Sequence, residues 1–283
     1  MTTDGETNRA GRYREASAAP AVDATTVVLA RDAAAGGIEV LLLERHLDSD
    51  FAGGAFVFPG GKVDPDDGQL PATRWSGADL DVWRERLGAD DVTGTLALLV
   101  AGVRECFEEA GVLLAHHADG SPVSVAELAS PSFVDARSRL ASRDERFDWR
   151  PWLEAEDLVL DLGALALWSW WVTPDGQHRR FDTRFLVAAL PPGQRASSDE
   201  VETTSLRWIQ PDEALAAHAR DEVMVIYPTR RNLRDLAAFD DTAELMRAAR
   251  AGEVDQRRIK PRVVRVDGTV MVQHPDGDEP EVI

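Results

Sequence analysis

Three glutamates near the middle of the chain have the type and spacing to carry chemistry. Glu105, Glu108 and Glu109 lie in the run Arg104-Glu105-Cys106-Phe107-Glu108-Glu109-Ala110-Gly111-Val112. Side chains three and four residues apart share one patch of a helix, so the three carboxylates are predicted to lie together. Like charges this close repel, and Arg104 offsets only part of the repulsion. Such a cluster suits a hard divalent cation, which also binds phosphate oxygens; the alternative is a solvated acidic face.

A glycine loop is the second piece of the pattern. The run Phe58-Pro59-Gly60-Gly61-Lys62-Val63-Asp64 follows a short apolar segment. Gly60 and Gly61 allow backbone conformations closed to other residues and a close approach to a ligand. Apolar residues recur at helical spacing over residues 96–110, which predicts one buried helix face with the carboxylates on the opposite side. Gly111 is the predicted helix end.

Together the two pieces resemble the Nudix box, G-x5-E-x7-R-E-U-x-E-E-x-G-U with U an aliphatic residue. Gly61 fits the first glycine and residues 104–112 fit the second half, except that Cys106 replaces an aliphatic residue. Asp67 stands at the first glutamate, and thirty-six residues separate it from Arg104 where seven are usual, an insertion of 29. This split box is similar to that of Nudix enzymes related to the peroxisomal coenzyme A diphosphatases. Three further stretches support the resemblance, which covers most of residues 22–240: residues 41–46 with 56–61, 171–174 and 180–185.

The resemblance implies an α/β fold, in the form of an α/β/α sandwich with a mixed central sheet and helical insertions. It implies metal-dependent hydrolysis of a phosphoanhydride in a nucleoside diphosphate linked to another group. Coenzyme A or acyl-coenzyme A, cut to 3′,5′-ADP and (acyl-)4′-phosphopantetheine, is the expected substrate. ADP-ribose, NADH or a nucleoside triphosphate is an alternative substrate, and a catalytically idle fold that senses a nucleotide is an alternative function.

The resemblance also assigns roles to residues of the box. Mg²⁺ or Mn²⁺ would be bound by Glu105, Glu108 and Glu109, with Glu109 as the principal ligand and Glu105 as the base that orients water. Arg104 would fix the glutamates by hydrogen bonding. Gly60 and Gly61 would shape the loop where the helix meets the phosphates.

Four residues outside the box are further candidates. Arg180 and Arg184 belong to the basic run at residues 178–184, and arginine binds phosphate through paired hydrogen bonds; ion pairing with Asp182 is the alternative. Arg45 follows the predicted strand at residues 38–43, where it would contact phosphate or adenine, or be solvated. In related enzymes an extra glutamate from a loop can reach the metals or the water, and Glu202 is the candidate here.

Composition limits the partners. The chain has 283 residues and a formal charge of −19, which argues against non-specific binding to nucleic acid or to an anionic membrane. Its single cysteine excludes an intrachain disulfide and fits a reducing compartment. No run reaches the roughly 18 apolar residues of a membrane span, and neither terminus carries a recognised targeting signal. We expect a cytoplasmic protein with a small nucleotide substrate; a homodimer remains open.

Periodicity and turn signals predict the organisation of the chain. Residues 1–20 are expected to be a disordered tail, residues 21–252 the Nudix domain, and residues 253–283 a hairpin and tail. Within the domain we expect an insertion at about 65–93 and a helical lid over the sheet at about 121–160. Helices are predicted at residues 77–87, 124–129, 132–142, 211–219, 228–239 and 242–251, the second and third opened by serine caps. Hairpins are predicted at residues 24–43 and 261–273, and further strands at 165–172, 185–190 and 205–209.

Overall fold

The computed structural model of the chain describes residues 20–45, 54–142, 146–198 and 203–282. Its strands are β1 (Val22–Asp32), β2 (Ile38–Arg45), β3 (Ala55–Val57), β4 (Gly60–Lys62), β5 (Trp75–Ser76), β6 (Ala115–His117), β7 (Leu158–Asp161), β8 (Ala166–Val172), β9 (Phe181–Ala189), β10 (Thr203–Ile209), β11 (Met224–Val225), β12 (Arg258–Ile259), β13 (Arg262–Val266), β14 (Thr269–Gln273) and β15 (Glu281–Val282). Its α-helices are α1 (Leu80–Leu87), α2 (Val92–Ala110), α3 (Val125–Leu128), α4 (Pro131–Ala141), α5 (Arg150–Ala155), α6 (Pro211–Ala219), α7 (Tyr227–Leu236) and α8 (Thr242–Ala251).

A mixed sheet forms the centre of the fold. Its strand order is β11-β3-β2-β1-β9-β8-β12, with β4 also paired to β1 and β10 to β2. The pairing of β1 with β9 is parallel and runs from Val22↔Phe181 to Ala30↔Ala189, whereas β1 and β2 are antiparallel. The hairpin predicted at residues 24–43 is therefore confirmed.

Alternating side chains of β1 divide the interior into two layers. Val27 and Leu29 belong to the hydrophobic core that contains α2, whereas Val28 and Ala30 belong to a second core shared with α6, α7 and α8. Each fully buried aliphatic side chain contributes about 1.5–3 kcal/mol, so both faces hold their helices firmly. The predicted sandwich of helices around a mixed sheet is confirmed.

The residues inserted between the two halves of the box fold against α2. Asp79 begins α1 by accepting hydrogen bonds from the N–H groups of Asp81 and Val82. Trp83 and Leu87 are buried in the same core as α2. The predicted helix in this region is confirmed, although it starts at Leu80 rather than at residue 77, because Asp79 is its cap.

The helices of residues 121–160 cover α2 rather than the sheet. The rings of Phe133 and Trp152 lie 6.5 and 5.6 Å from that of Phe107 in α2. The same block contains β7, which pairs with β5 and β6 in a separate small sheet. This region therefore differs from the expected lid over the sheet, since its apolar residues pack on the outer side of α2.

Of the two predicted serine caps in this region, one is confirmed and the other is wrong. Ser124 caps α3 in a capping box with Glu127. The next helix begins at Pro131, with Ser130 at the cap position and no side-chain cap bond. The hydroxyl of Ser132 donates to Glu156 instead. Proline suits the first helical position because its missing N–H needs no partner there, which moves the start by one residue.

The C-terminal elements follow the sequence predictions closely. Helices α6 and α8 have the predicted bounds, and β13 and β14 form the predicted hairpin around Asp267 and Gly268, both with positive φ. The segment is also tied to the domain, because β12 pairs in parallel with β8 and Ile259 is buried in the second core. Among the helices that the structure describes, none is both long enough and apolar enough to cross a membrane.

Candidate active site

Helix α2 carries the candidate catalytic residues in its last two turns. Asp91 begins the helix, its carboxylate accepting the N–H of Gly94 at 2.7 Å, and Gly111 ends it with φ of 64°. Every residue from position 95 to position 110 is buried. The prediction of one buried face is therefore too narrow, because the carboxylate side of the helix is also covered.

Arg104 holds two of the three glutamates side by side. Its Nη1 donates to Oε1 of Glu105 at 2.8 Å and to Oε2 of Glu108 at 3.3 Å. Burial alone would lower the pKa of Arg104, but the charges of Glu105 and Asp67 outweigh it and hold that pKa well above its ordinary value. The guanidinium is therefore a permanent cation that keeps like-charged carboxylates in contact.

Asp67, at the position of the first glutamate of the box, binds the other edge of the same guanidinium. Its oxygens accept from Nε and Nη2 of Arg104 at 3.0 and 3.1 Å, and from the N–H of Asp64 at 2.8 Å. Burial raises the pKa of Asp67, and the charge and hydrogen bonds of Arg104 oppose that rise. The shorter aspartate reaches Arg104 because its turn lies tight against α2, where a Cβ on Gly68 would be 2.7 Å from the carbonyl of Thr93.

The glycine loop covers the carboxylates. The N–H of Gly60 donates to Oε2 of Glu109 at 2.8 Å, and Nη2 of Arg104 donates to the carbonyl of Lys62 at 2.8 Å. The loop is itself anchored, since β4 pairs with β1. The loop thus donates one hydrogen bond to the helix and accepts one from it.

Neither glycine of the loop has room for a side chain. A Cβ on Gly61 would lie 2.4 Å from Oε1 of Glu105, and a Cβ on Gly60 would lie 2.6 Å from the carbonyl of Thr25. Glycine suits both positions because the backbone approaches its neighbours closely there. Gly61 lies against Glu105 of α2, and Gly60 lies against β1.

Among the described residues, the site gathers four buried carboxylates close to one buried guanidinium. Three carboxylates contact Arg104, and Glu109 adds a fourth nearby. Burial raises the pKa of the Cys106 thiol, and the charges of Glu109 and Glu105 raise it further. Cys106 is therefore a neutral core residue beside a strongly negative cluster.

The donor set of Glu105, Glu108 and Glu109 fits a divalent cation chemically. Hard cations prefer carboxylate oxygens, and an ion would reduce the repulsion between these carboxylates. Within the described residues, no group of three or more His, Cys, Asp or Glu side chains is arranged to hold a metal ion. Glu105 and Glu108 instead accept hydrogen bonds from Arg104, and Glu109 accepts one from Gly60. The metal set therefore stays a prediction.

Arg184, predicted to meet phosphate, is built into the fold. It is 4% exposed and forms ion pairs with Asp23 and, at 3.4 Å, with Asp182. Its Nε donates to the carbonyl of Leu87 at 3.0 Å, and its guanidinium lies 4.4 Å from the ring centre of Trp170. These contacts match ion pairing, the alternative that the sequence left open, and they fasten α1 to the sheet.

The structure describes two of the three remaining candidates, Arg180 and Arg45. Arg180 donates to the carbonyl of Thr173 at 3.2 Å and pairs with Asp175 at 2.8 Å. Arg45 ends β2 at the turn into β3, whereas the glycine loop follows the other end of β3; its Nε is buried with no hydrogen-bond partner among the described residues. Glu202 lies outside the residues that the structure describes. Substrate contacts of these residues stay predictions.

Two residues that hold the end of α2 were not predicted from the sequence. Arg137 of α4 donates to the carbonyls of Glu108 and Glu109, and the N–H of Ser197 donates to the carbonyl of Ala110. They lie far from the box in sequence, and neither belongs to a recognisable motif. Only the packing of α4 against α2 brings them there.

Comparisons with known proteins agree with this geometry. The family model for the NUDT19 Nudix domain matches residues 73–236. Human acyl-coenzyme A diphosphatase NUDT19 is 31% identical, with 87% of this chain and 72% of that protein aligned, and the Gallus gallus protein of the same name is 29% identical, with 85% and 72% aligned. The crystal structure of a Nudix hydrolase from Alicyclobacillus acidocaldarius superposes with a TM-score of 0.65 at 29% identity, covering 81% of this chain and 96% of that one.

Proposed function

The chain belongs to the Nudix hydrolase family as a pyrophosphohydrolase, and from that premise we propose that it cleaves coenzyme A or acyl-coenzyme A. The products are 3′,5′-ADP and (acyl-)4′-phosphopantetheine. The observation that carries the proposal is the group of buried carboxylates at the end of α2, held by Arg104 and by a glycine loop. The substrate follows from relatives that are named acyl-coenzyme A diphosphatases and align with most of the chain.

Glu105, Glu108 and Glu109 are the proposed ligands of Mg²⁺ or Mn²⁺. A bound divalent cation neutralises phosphate charge and makes bound water more acidic. The chain supplies the position of the ligands: Arg104 bridges Glu105 and Glu108, and the N–H of Gly60 orients Glu109.

Water is the proposed nucleophile, and no covalent intermediate is needed. Its oxygen attacks one phosphorus in line, the bond to the bridging oxygen breaks, and the other phosphate leaves. Glu105 orients the water and accepts its proton. Arg104 keeps the Glu105 carboxylate turned to one side through the 2.8 Å bond to Oε1. Gly61 lets the loop lie against that carboxylate.

The cellular setting is part of the proposal. A net charge of −19 supports a small nucleotide rather than a nucleic acid as the partner. The single cysteine, buried and unpaired, supports a reducing compartment such as the cytoplasm. A homodimer is compatible with both.

The test is a chromatographic product assay with the full chain and either Mg²⁺ or Mn²⁺. The panel contains coenzyme A, one short and one long acyl derivative, ADP-ribose and NADH, and Glu109→Gln is the control. Release of 3′,5′-ADP from the coenzyme A compounds supports the proposal. AMP from ADP-ribose or NADH alone overturns the substrate and leaves a pyrophosphohydrolase. Nucleotide binding with no turnover of any compound points to the sensor.

A further inference from the structure

The end of α2 leaves carbonyl groups that its own backbone cannot satisfy. The chain reversal at Gly111 supplies two donors: the N–H of Gly111 to Phe107 at 3.0 Å and the N–H of Val112 to Cys106 at 3.3 Å. A helix has no N–H left for its final carbonyls. In α2 these belong to Glu108, Glu109 and Ala110.

Arg137 and Ser197 satisfy all three carbonyls. Arg137 donates from Nε to the carbonyl of Glu108 at 2.9 Å and from Nη2 to that of Glu109 at 3.1 Å. The N–H of Ser197 donates to the carbonyl of Ala110 at 2.9 Å. Arg137 also binds Ser197, from Nη1 to Oγ at 2.7 Å and from Nη2 to the carbonyl at 2.6 Å. One guanidinium thus joins the catalytic helix to the segment that follows β9.

Packing and close approach fix the place of Arg137. Phe133, one turn earlier on α4, is buried against Phe107 of α2, which sets the distance between the helices. Gly111 leaves the space that the guanidinium fills, since a Cβ there would lie 2.7 Å from Nη1 of Arg137. A planar guanidinium can serve several acceptors at once, which a lysine ammonium in the same place cannot do with the same geometry.

We propose that Arg137 is a positioning residue for the metal site, a role that rests on the proposed function. It holds the backbone of the two residues whose carboxylates are the proposed ligands, Glu108 and Glu109. Ligand groups must be held within about 0.5 Å of their productive positions, and a frayed last turn cannot do that. The cation also stabilises the negative end of the helix dipole.

The test compares Arg137→Met and Arg137→Lys with Arg139→Met. Arg139 lies on the same helix, is 49% exposed and pairs weakly with Asp135 at 3.9 Å, so it controls for loss of a charge from α4. Mn²⁺ binding is followed without substrate from the paramagnetic resonance signal of the free ion. Loss of a group that orients metal ligands weakens affinity about 10–100-fold, which is the effect expected for Arg137→Met. Arg137→Lys should fall between it and wild type, and Arg139→Met should match wild type.

Several outcomes separate positioning from a purely structural role. If Arg137→Met melts at a lower temperature yet binds Mn²⁺ as tightly as Arg139→Met when folded, the inference is overturned. If Arg137→Met does not fold, Arg137→Lys decides: weaker Mn²⁺ binding supports the inference, and unchanged binding overturns it. If wild type binds Mn²⁺ but leaves coenzyme A intact, the substrate proposal fails while the Arg137 comparison still holds.

Discussion

Two charged clusters, one at the end of α2 and one at the start of β9, balance their charges differently. At α2, three carboxylates share the guanidinium of Arg104, and a fourth lies nearby. At β9, Arg184 contacts Asp23 and Asp182, and Asp182 also pairs with Arg258 at 2.7 Å. In the part of the chain that the structure describes, the first cluster gathers several carboxylates around one guanidinium, and the second alternates opposite charges.

This difference in charge suggests different roles for the two clusters. Carboxylates gathered side by side in a buried place repel each other, so the α2 cluster is the candidate site for a cation, whereas the β9 cluster is the candidate structural joint. A balanced cluster needs nothing from outside. From the sequence, the arginine-rich run is a candidate phosphate site or a set of ion pairs. The glutamates are a candidate metal site or a solvated acidic face. The balance of charge separates them.

Glu109→Gln tests the α2 side and has the largest expected effect. Turnover of the best substrate should fall about 10²–10³-fold, the usual loss when one charge-stabilising group is removed from a site. The melting temperature should stay level or rise, because one of several like charges is removed and the amide oxygen can still accept the N–H of Gly60. Steady-state kinetics and calorimetry measure both. Glu154→Gln, the same change on an exposed helix position, is the control, and turnover within a few-fold of wild type would sink the assignment.

Arg184→Met tests the β9 side, and the effect should appear in stability instead. The free energy of unfolding should fall by about 2 kcal/mol, less than for a fully buried pair because Asp23 is 59% exposed. Turnover should stay within a few-fold of wild type. Urea unfolding and kinetics measure the two, with Arg265→Met on exposed β13 as the control. Loss of turnover with coenzyme A but not with ADP-ribose would instead assign Arg184 to the 3′-phosphate.

The smallest expected effect is on the pH dependence of stability, compared between Asp67 and Asp175. Burial raises the pKa of Asp67 in the α2 cluster, whereas a hydrogen bond from Lys260, with the charge of Arg180, lowers the pKa of Asp175 near β9. The folded protein therefore holds the Asp67 proton more tightly than the unfolded chain does, and this stabilisation is lost as pH rises through the raised pKa. For Asp175 the stabilisation is present above the ordinary carboxyl range and is lost as pH falls through the lowered pKa.

Urea unfolding of Asp67→Asn and Asp175→Asn from about pH 3 to pH 7 measures these two slopes. The stability of wild type relative to Asp67→Asn should decrease as pH rises, and relative to Asp175→Asn it should increase. The Asp175 term should amount to a few tenths of a kcal/mol, since that side chain is largely exposed. Slopes of the same sign would contradict the opposite pKa directions of Asp67 and Asp175.

The sequence predicts well what depends on local patterns. Helix α8 has the predicted bounds and α2 ends at the predicted Gly111, whereas the Asp91 cap of α2 lies inside the predicted insertion. The glycine loop was also predicted, and Gly60 and Gly61 do lie against the carboxylates of α2.

The contacts that could not be predicted are those between residues far apart in the sequence. The ion pairs and the hydrogen bond of Arg184 join residues from three separate segments, and the contacts of Arg137 depend on where α4 packs. Burial of the carboxylate side of α2 was missed for the same reason. Helical periodicity identifies the apolar face, but only the folded chain shows that the glycine loop and Asp67 cover the polar one.

The parallel pairing of β1 with β9 also determines how late during synthesis the central sheet can be completed. A ribosome delivers β1 at residues 22–32, but its partner begins only at Phe181. Until then one edge of β1 lacks its native neighbour, and such an edge invites pairing with other chains. Closing so long a loop also slows folding. Helix α2 and its glycine loop therefore leave the ribosome well before the sheet on which they rest can close, and the open edge of β1 can pair with other chains during that interval.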